Sequence, residues 1–159
     1  MHEILVVDLD RTLLKSDMLL ESFWSALGSD WRSPIRSLLA LLQGRASLKQ
    51  YLAAAARINV STLPYDDAVI TFVKLFDEVH GSIGIDNLKG ASKAQFLVET
   101  YGDKQFAYMG DSKEALDVWM HAKHAVTVNA SGAVKTRAAQ LVDTVEHLET
   151  GKPNTGVYL

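Results

Sequence analysis

The sequence predicts an α/β protein: a parallel sheet flanked by helices, with a helical segment inserted after its first strand. Three observations lead there. Ile4 to Val7 is a continuous apolar run of the kind a strand needs when both its faces are buried, and Phe106-Ala-Tyr-Met109 and Ala125 to Val128 repeat it. Stretches with helical spacing separate these runs, and strands alternating with helices favour a parallel sheet. The chain has 159 residues, 48% of them hydrophobic and 22% charged, enough for one core with room for a small insertion.

Each element follows from local pattern. Ile4 to Val7 is placed as the first, central strand. From Ser16 to about Asn59 the apolar positions repeat at helical spacing through Leu19, Phe23 and Leu27, then Ile35, Leu38 and Leu42, then Leu48 and Leu52. Gly28 to Pro34 and Gly44 to Ser47 punctuate that stretch, which predicts two or three short helices. Trp24, Trp31 and Trp119 fall in apolar helical patterns and are expected to pack inside. Ala68 to Leu75 is read as a short helix and Phe76 to His80 as a short strand. Ser92 is expected to cap a helix ending at Gly102, and helices are expected over 115–123 and 133–148. These readings divide the chain into a core at 1–14 and 63–150, an insertion at 15–62 and a loose tail at 151–159.

Composition narrows the function. Sixteen basic and 19 acidic side chains leave a net charge of -3, which offers no basic field for nucleic acid. The absence of cysteine removes disulfides, thiolate metal sites and a cysteine nucleophile together, and is compatible with a reducing cytoplasm. The apolar run before Asp8 is too short for a signal-peptide core, and no stretch approaches the roughly 20 apolar residues of a membrane span. Peripheral attachment to a membrane stays open. The insertion is locally basic: Lys15, Arg32, Arg36, Arg45, Lys49 and Arg57 face only Asp17, Glu21 and Asp30.

Three motifs could carry chemistry. Asp8-Leu-Asp10-Arg11-Thr12 follows the first apolar strand directly, so two carboxylates leave the sheet at its carboxyl edge, able to share a cation or to divide nucleophile and acid/base roles. The plainer reading is an Asp that caps a loop, with Thr12 as a helix N-cap. Gly110-Asp111-Ser112 ends a second apolar strand, and in a parallel sheet Asp111 would face the same edge and complete an oxygen-ligand set suited to magnesium. Its alternative is a cap on the next helix. Lys93, in Gly90-Ala-Ser-Lys93, stands at a helix start where the dipole disfavours a cation, so a phosphate or the carboxylates would give it a partner; Lys89 competes for that role.

In this order the motifs resemble the haloacid-dehalogenase superfamily of phosphohydrolases, whose first motif reads Asp-x-Asp-x-Thr or Val. More narrowly, together with Leu63-Pro-Tyr, Leu75-Phe-Asp-Glu-Val-His-Gly-Ser82 and Val118-Trp119, they look like the soluble domain of that superfamily fused ahead of UbiA-type membrane prenyltransferases. The resemblance implies a Rossmann-like core with a helical cap and an Mg2+-dependent phosphatase acting on a small or lipid-linked phosphate ester. Asp8 would be the nucleophile, Asp10 the acid/base and Lys93 the cation steadying the phosphate, with Arg11, Thr12 and Lys89 on the substrate side. Asp8, Asp111 and the Asp10 carbonyl would hold the metal. A peripheral association with a membrane enzyme is also implied.

Two departures are visible. The superfamily places a Ser or Thr at the end of a second strand between cap and lysine, and here the chain runs from Leu63-Pro-Tyr into Leu75-Phe-Asp with too little between for strand, helix and return. Thr71 is the one candidate, and the second strand is read as deleted. Where relatives carry a further acid after Gly-Asp-Ser, this chain has Ala115 between Glu114 and Asp117. A second reading follows, in which the protein is a catalytically weakened binding module beside a prenyltransferase system.

Overall fold

The computed structural model describes residues 4–73 and 89–150. The expected strand at Phe76–His80 and the tail from 151 onward lie outside them. The described elements are β1 (Ile4–Val7), a five-residue turn (Leu9–Leu13), α1 (Met18–Ser29), α2 (Ser33–Leu42), α3 (Arg45–Ala55), α4 (Asp67–Val73), α5 (Gly90–Tyr101), β2 (Phe106–Gly110), α6 (Ala115–Trp119), β3 (His124–Val128), α7 (Gly132–Leu141) and β4 (Thr144–Leu148). They fall into two compact units, Met1–Lys15 with Tyr65–Leu159, and Ser16–Pro64.

The first unit is an α/β layer structure on a four-stranded, all-parallel sheet in the order β1-β2-β3-β4. Alternation along the strands sends side chains to two faces. One face packs Phe106, Tyr108 and Ala125 under α5, α6 and α7, through Leu97, Trp119 and Ala138. The other sets Met109, Val126 and Val128 against Val69 of α4. Trp119 is fully buried, and its Nε1–H donates to the Tyr108 carbonyl at 2.9 Å, so its polar handle is satisfied within the core.

Several expectations are corrected. The stretch 133–148 is not one helix: α7 stops at Leu141, Val142 turns extended, and Thr144 to Leu148 pair in parallel with β3. Val142, Val145 and Leu148 mimic helical spacing, but β-branched Thr144 and Val145 suit a strand, and the open edge of β3 supplies the hydrogen-bonding partner. The helix expected over 115–123 ends at Trp119, because Lys104 N–H bonds the His121 carbonyl at 2.8 Å and Lys123 N–H bonds Phe106 at 2.7 Å, drawing the chain out. α5 begins at Gly90 with Lys89 as its cap residue, so Ser92 lies inside the first turn. Gly90 has φ +49, and a Cβ there would come within 2.6 Å of an Asp117 carboxylate oxygen. That acid borders the helix start, where negative charge is favoured. Lastly, β1 stands at an edge of the sheet rather than its centre among the described residues, since β2 is its one neighbour there. β1 and β2 pair directly, and among the described residues no other strand lies between them in sequence.

In the second unit, α1 opens with the Asp17 carboxylate accepting from Leu19 N–H at 2.8 Å. Its three helices meet through small residues: Ser22 and Ala26 of α1 and Ser33 and Ser37 of α2 are buried, with Leu52 from α3. Ser33 Oγ donates to the Ala26 carbonyl at 2.8 Å. Trp24 and Trp31 are 58% and 74% exposed, contrary to the packing expected of them, because the buried stripes run through small side chains instead.

Candidate active site

β1 and β2 run parallel with Val7 opposite Met109, and pairing continues one residue further as Asp8 N–H donates to the Met109 carbonyl at 2.9 Å. Asp8 and Asp111 therefore leave the same edge of adjacent strands. After Asp8 the chain folds into the Leu9–Leu13 turn, closed by Leu13 N–H to the Asp8 carbonyl at 3.2 Å and Leu14 N–H to Leu9 at 2.9 Å. Within it Asp10 is extended (φ -71, ψ 126) and Arg11 left-handed (φ 57, ψ 9). A left-handed non-glycine residue costs on the order of 1 kcal/mol, and here it accompanies a side chain that meets the site: Arg11 Nε lies 3.5 Å from Asp111 Oδ2.

Lys93, in the first turn and a half of α5, places Nζ 2.7 Å from Asp8 Oδ1 and 3.1 Å from the Tyr108 hydroxyl. The two charged side chains are each 24% exposed, so the pair is partly desolvated yet reachable. Asp8 also accepts from Leu9 N–H at 3.1 Å. Burial, then the charges of Asp8 and Asp111, then its hydrogen bond to Asp8 hold the Tyr108 hydroxyl well above its ordinary range. Tyr108 thus stays protonated beside the carboxylates. Asp111 is pushed up by burial, an effect opposed by Arg11 and the Ser112 hydroxyl and reinforced by the negative charge of Asp8. Glu114 is held below its usual value by its own backbone N–H, then by Ser112, with Lys89 and Arg11 contributing.

The sequence-derived residues divide accordingly. Asp8 and Lys93 are in direct contact, Asp111 and Arg11 are in contact, and the charges of Asp8 and Asp111 act on each other. Lys89 is exposed and contributes to the Glu114 environment, so of the two lysines it is Lys93 that reaches Asp8. Thr12 is not a helix cap: it is 1% exposed inside the turn, and its Oγ1 has no hydrogen-bond partner. Thr71 is no strand-end hydroxyl either, since it lies in α4 and its Oγ1 donates back to the Asp67 carbonyl at 2.7 Å. Tyr108 was not singled out from the sequence. A tyrosine in an otherwise apolar buried strand, three residues before an acid, is the signal that would have found it, because a buried hydroxyl needs a partner.

Among the described residues no group of three or more His, Cys, Asp or Glu side chains gathers as a metal site. The donors that are present still suit a hard cation: two strand-end carboxylates, one of them shifted upward in part by the other's charge, are relieved by positive charge placed between them. The residue after Gly-Asp-Ser where the resemblance places a further acid is a buried alanine. Ala115 is 3% exposed and packs so tightly on Gly110 that a Cβ on that glycine would lie 2.9 Å from the Ala115 Cβ. Of its neighbours, Asp117 borders Gly90 and Glu114 is engaged with Ser112.

No family model matches the chain. No solved structure matches it significantly. It is similar to the uncharacterized protein y4nM of Sinorhizobium fredii (strain NBRC 101917 / NGR234), with 30% identity over an alignment covering 78% of this chain. The match spans 29% of that relative's length.

Proposed function

We propose that the protein is a phosphohydrolase of the haloacid-dehalogenase type, acting through an aspartyl phosphate on Asp8 and taking a small or lipid-linked phosphate ester. The observation that carries this reading is the convergence of Lys93 on Asp8 at 2.7 Å, beside Asp111 at the end of the adjacent strand. The Leu9 amide and the Lys93 ammonium both meet Oδ1 of Asp8, and the ammonium offsets the charge that accumulates when a phosphoryl group arrives. The Asp8 oxygen bonds to phosphorus as the ester P–O bond breaks, and Asp10 gives the departing oxygen its proton. Asp10 then takes a proton from water, the water oxygen bonds to phosphorus, and the P–O bond to Asp8 breaks to release phosphate. Asp8, Asp111 and the Asp10 carbonyl would hold Mg2+, which would supply charge neutralisation between carboxylate and phosphoryl oxygens. Arg11, 3.5 Å from Asp111, is the candidate substrate contact at this edge, whereas Thr12 is enclosed within the turn and Lys89 acts on Glu114.

The test is phosphate release from a broad panel of phosphate esters with and without Mg2+. Metal-dependent release that disappears in Asp8→Asn is the expected result; absence of release across the panel would overturn it. One observation favours a second reading, a weakened binding module: a buried alanine, Ala115, stands where the resemblance calls for a further acid. Under that reading the protein binds phosphate esters without turnover, and turnover in the same assay rejects it.

A further inference from the structure

α2 is built inside out. Its buried residues are Ser33 and Ser37, with Ala40 half-buried, while Ile35 (60%), Leu38 (59%), Leu39 (56%) and Leu42 (77%) are exposed. At 100° per residue these four form one stripe, extended on one side by Leu41 and bordered on the other by Arg32 and Arg36. A helix of a water-soluble core turns its leucines inward, and this one turns its serines inward. Packing does not force the arrangement, for the buried face costs a polar atom: the Ser37 hydroxyl is enclosed without a hydrogen-bond partner.

The surroundings name the chemistry of what covers the stripe. Exposed Trp31 precedes α2, with the Arg32 guanidinium 5.4 Å from its ring centroid, a pairing of aromatic body and cationic head that suits the boundary between acyl chains and headgroups. Beside the stripe, within the same unit, an apolar groove of about 510 Å³ is lined by Leu19, Phe23, Leu38, Leu41, Leu48 and Leu52, among others. The unit carries Arg32, Arg36, Arg45, Lys49 and Arg57 against Asp17, Glu21 and Asp30, inside a chain of net charge -3. A second copy of this chain would bring a surface of the same positive sign, whereas an anionic bilayer brings the opposite one together with an apolar layer for the leucines.

We propose that the exposed face of α2 docks the protein onto an anionic lipid bilayer, with the leucine stripe entering the acyl boundary and Arg32 and Arg36 at the phosphate level. This is independent of chemistry at Asp8. The experiment is co-sedimentation of the full chain with phosphatidylcholine vesicles, with and without phosphatidylglycerol, at low and high salt. The expected result is binding that requires phosphatidylglycerol, weakens with salt, falls on the order of tenfold or more in Leu38→Ser/Leu42→Ser, and loses its preference for anionic vesicles in Arg32→Gln/Arg36→Gln. Both pairs are exposed, so far-UV circular dichroism and thermal unfolding should match the parent chain and separate lost docking from lost folding. No binding to anionic vesicles overturns the proposal, and so does equal binding to neutral ones. Light scattering that shows a dimer abolished by the leucine substitutions, without vesicle binding, assigns the face to a second copy and overturns it too.

Discussion

At Asp8 one carboxylate collects the Leu9 amide, the Lys93 ammonium and the Tyr108 hydroxyl, three donors from three elements. The neighbouring acid is held differently. Asp111 is more buried than paired, and its carboxyl is raised chiefly by desolvation, so the folded protein holds that proton more tightly than the unfolded chain does. Stability then falls as pH rises from the ordinary carboxylate range through the raised one, because the folded state must ionise a group it desolvates. Asp111→Asn removes that penalty. Its thermal midpoint should exceed the parent's near neutral pH, and the difference should shrink as pH drops below the ordinary carboxylate range. A midpoint lower than the parent's at neutral pH would show that the Arg11 contact outweighs the burial. Thr12 shows another cost at this scale: an enclosed hydroxyl without a partner is destabilising by about 1 to 3 kcal/mol.

Among the elements, α5 decides whether the site assembles, because it alone carries Lys93 to Asp8. It starts at a glycine with φ +49, where an added Cβ would meet the Asp117 carboxylate. Gly90→Ala forces a left-handed alanine, at roughly 1 kcal/mol, and also displaces the carboxylate. Urea unfolding should show a loss exceeding that amount, whereas Gly28→Ala in α1, where a Cβ meets nothing within 4 Å, should stabilise or leave the midpoint unchanged. The elements also show what sequence can and cannot reveal. The first strand, the acids at two strand ends and Lys93 were legible because each depends on a local pattern: a continuous apolar run, or a charge where local electrostatics disfavours it. β4 was not, since Val142, Val145 and Leu148 recur at the three-residue spacing of a helix face, and it is pairing with the open edge of β3 that makes 144–148 a strand, with Val145 and Leu148 on opposite faces. The start of α5 and the end of α6 depend on contacts with residues distant in sequence. The exposed Trp24 and Trp31 were misread because apolar periodicity says which residues share a face and not whether that face is covered.

On the scale of the molecule, the two stretches of the first unit that flank residues 16–64 are joined to each other. Leu14 forms an antiparallel bridge with Tyr65, and Asp66 N–H donates to the Leu13 carbonyl at 2.8 Å, so the residues that flank the 16–64 segment lie side by side within the first unit. Asp66 is itself 3% exposed and tied to the amides of Ala68 and Val69 and to the Thr150 hydroxyl. Replacing residues 16–64 by a short Gly-Asn hairpin turn between Lys15 and Tyr65 should therefore leave a chain that unfolds cooperatively and retains α/β circular dichroism. A non-cooperative product would show that the first unit depends on the insertion to fold. The same excision should abolish vesicle binding, which ties docking to the helical unit.

The pairing of β1 with β2 also bears on the order of events during folding. Tyr108 finds Ala125, and Ala125 finds Val145, across short crossovers through α6 and α7, whereas Ile4 must find Phe106 across the whole insertion and α5. Closing the longest loop is the slowest of these pairings. Asp8 and Asp111 straddle that last seam, so the β2-to-β4 sheet can be complete while the two acids are still apart, and they come together only when the amino-terminal strand docks.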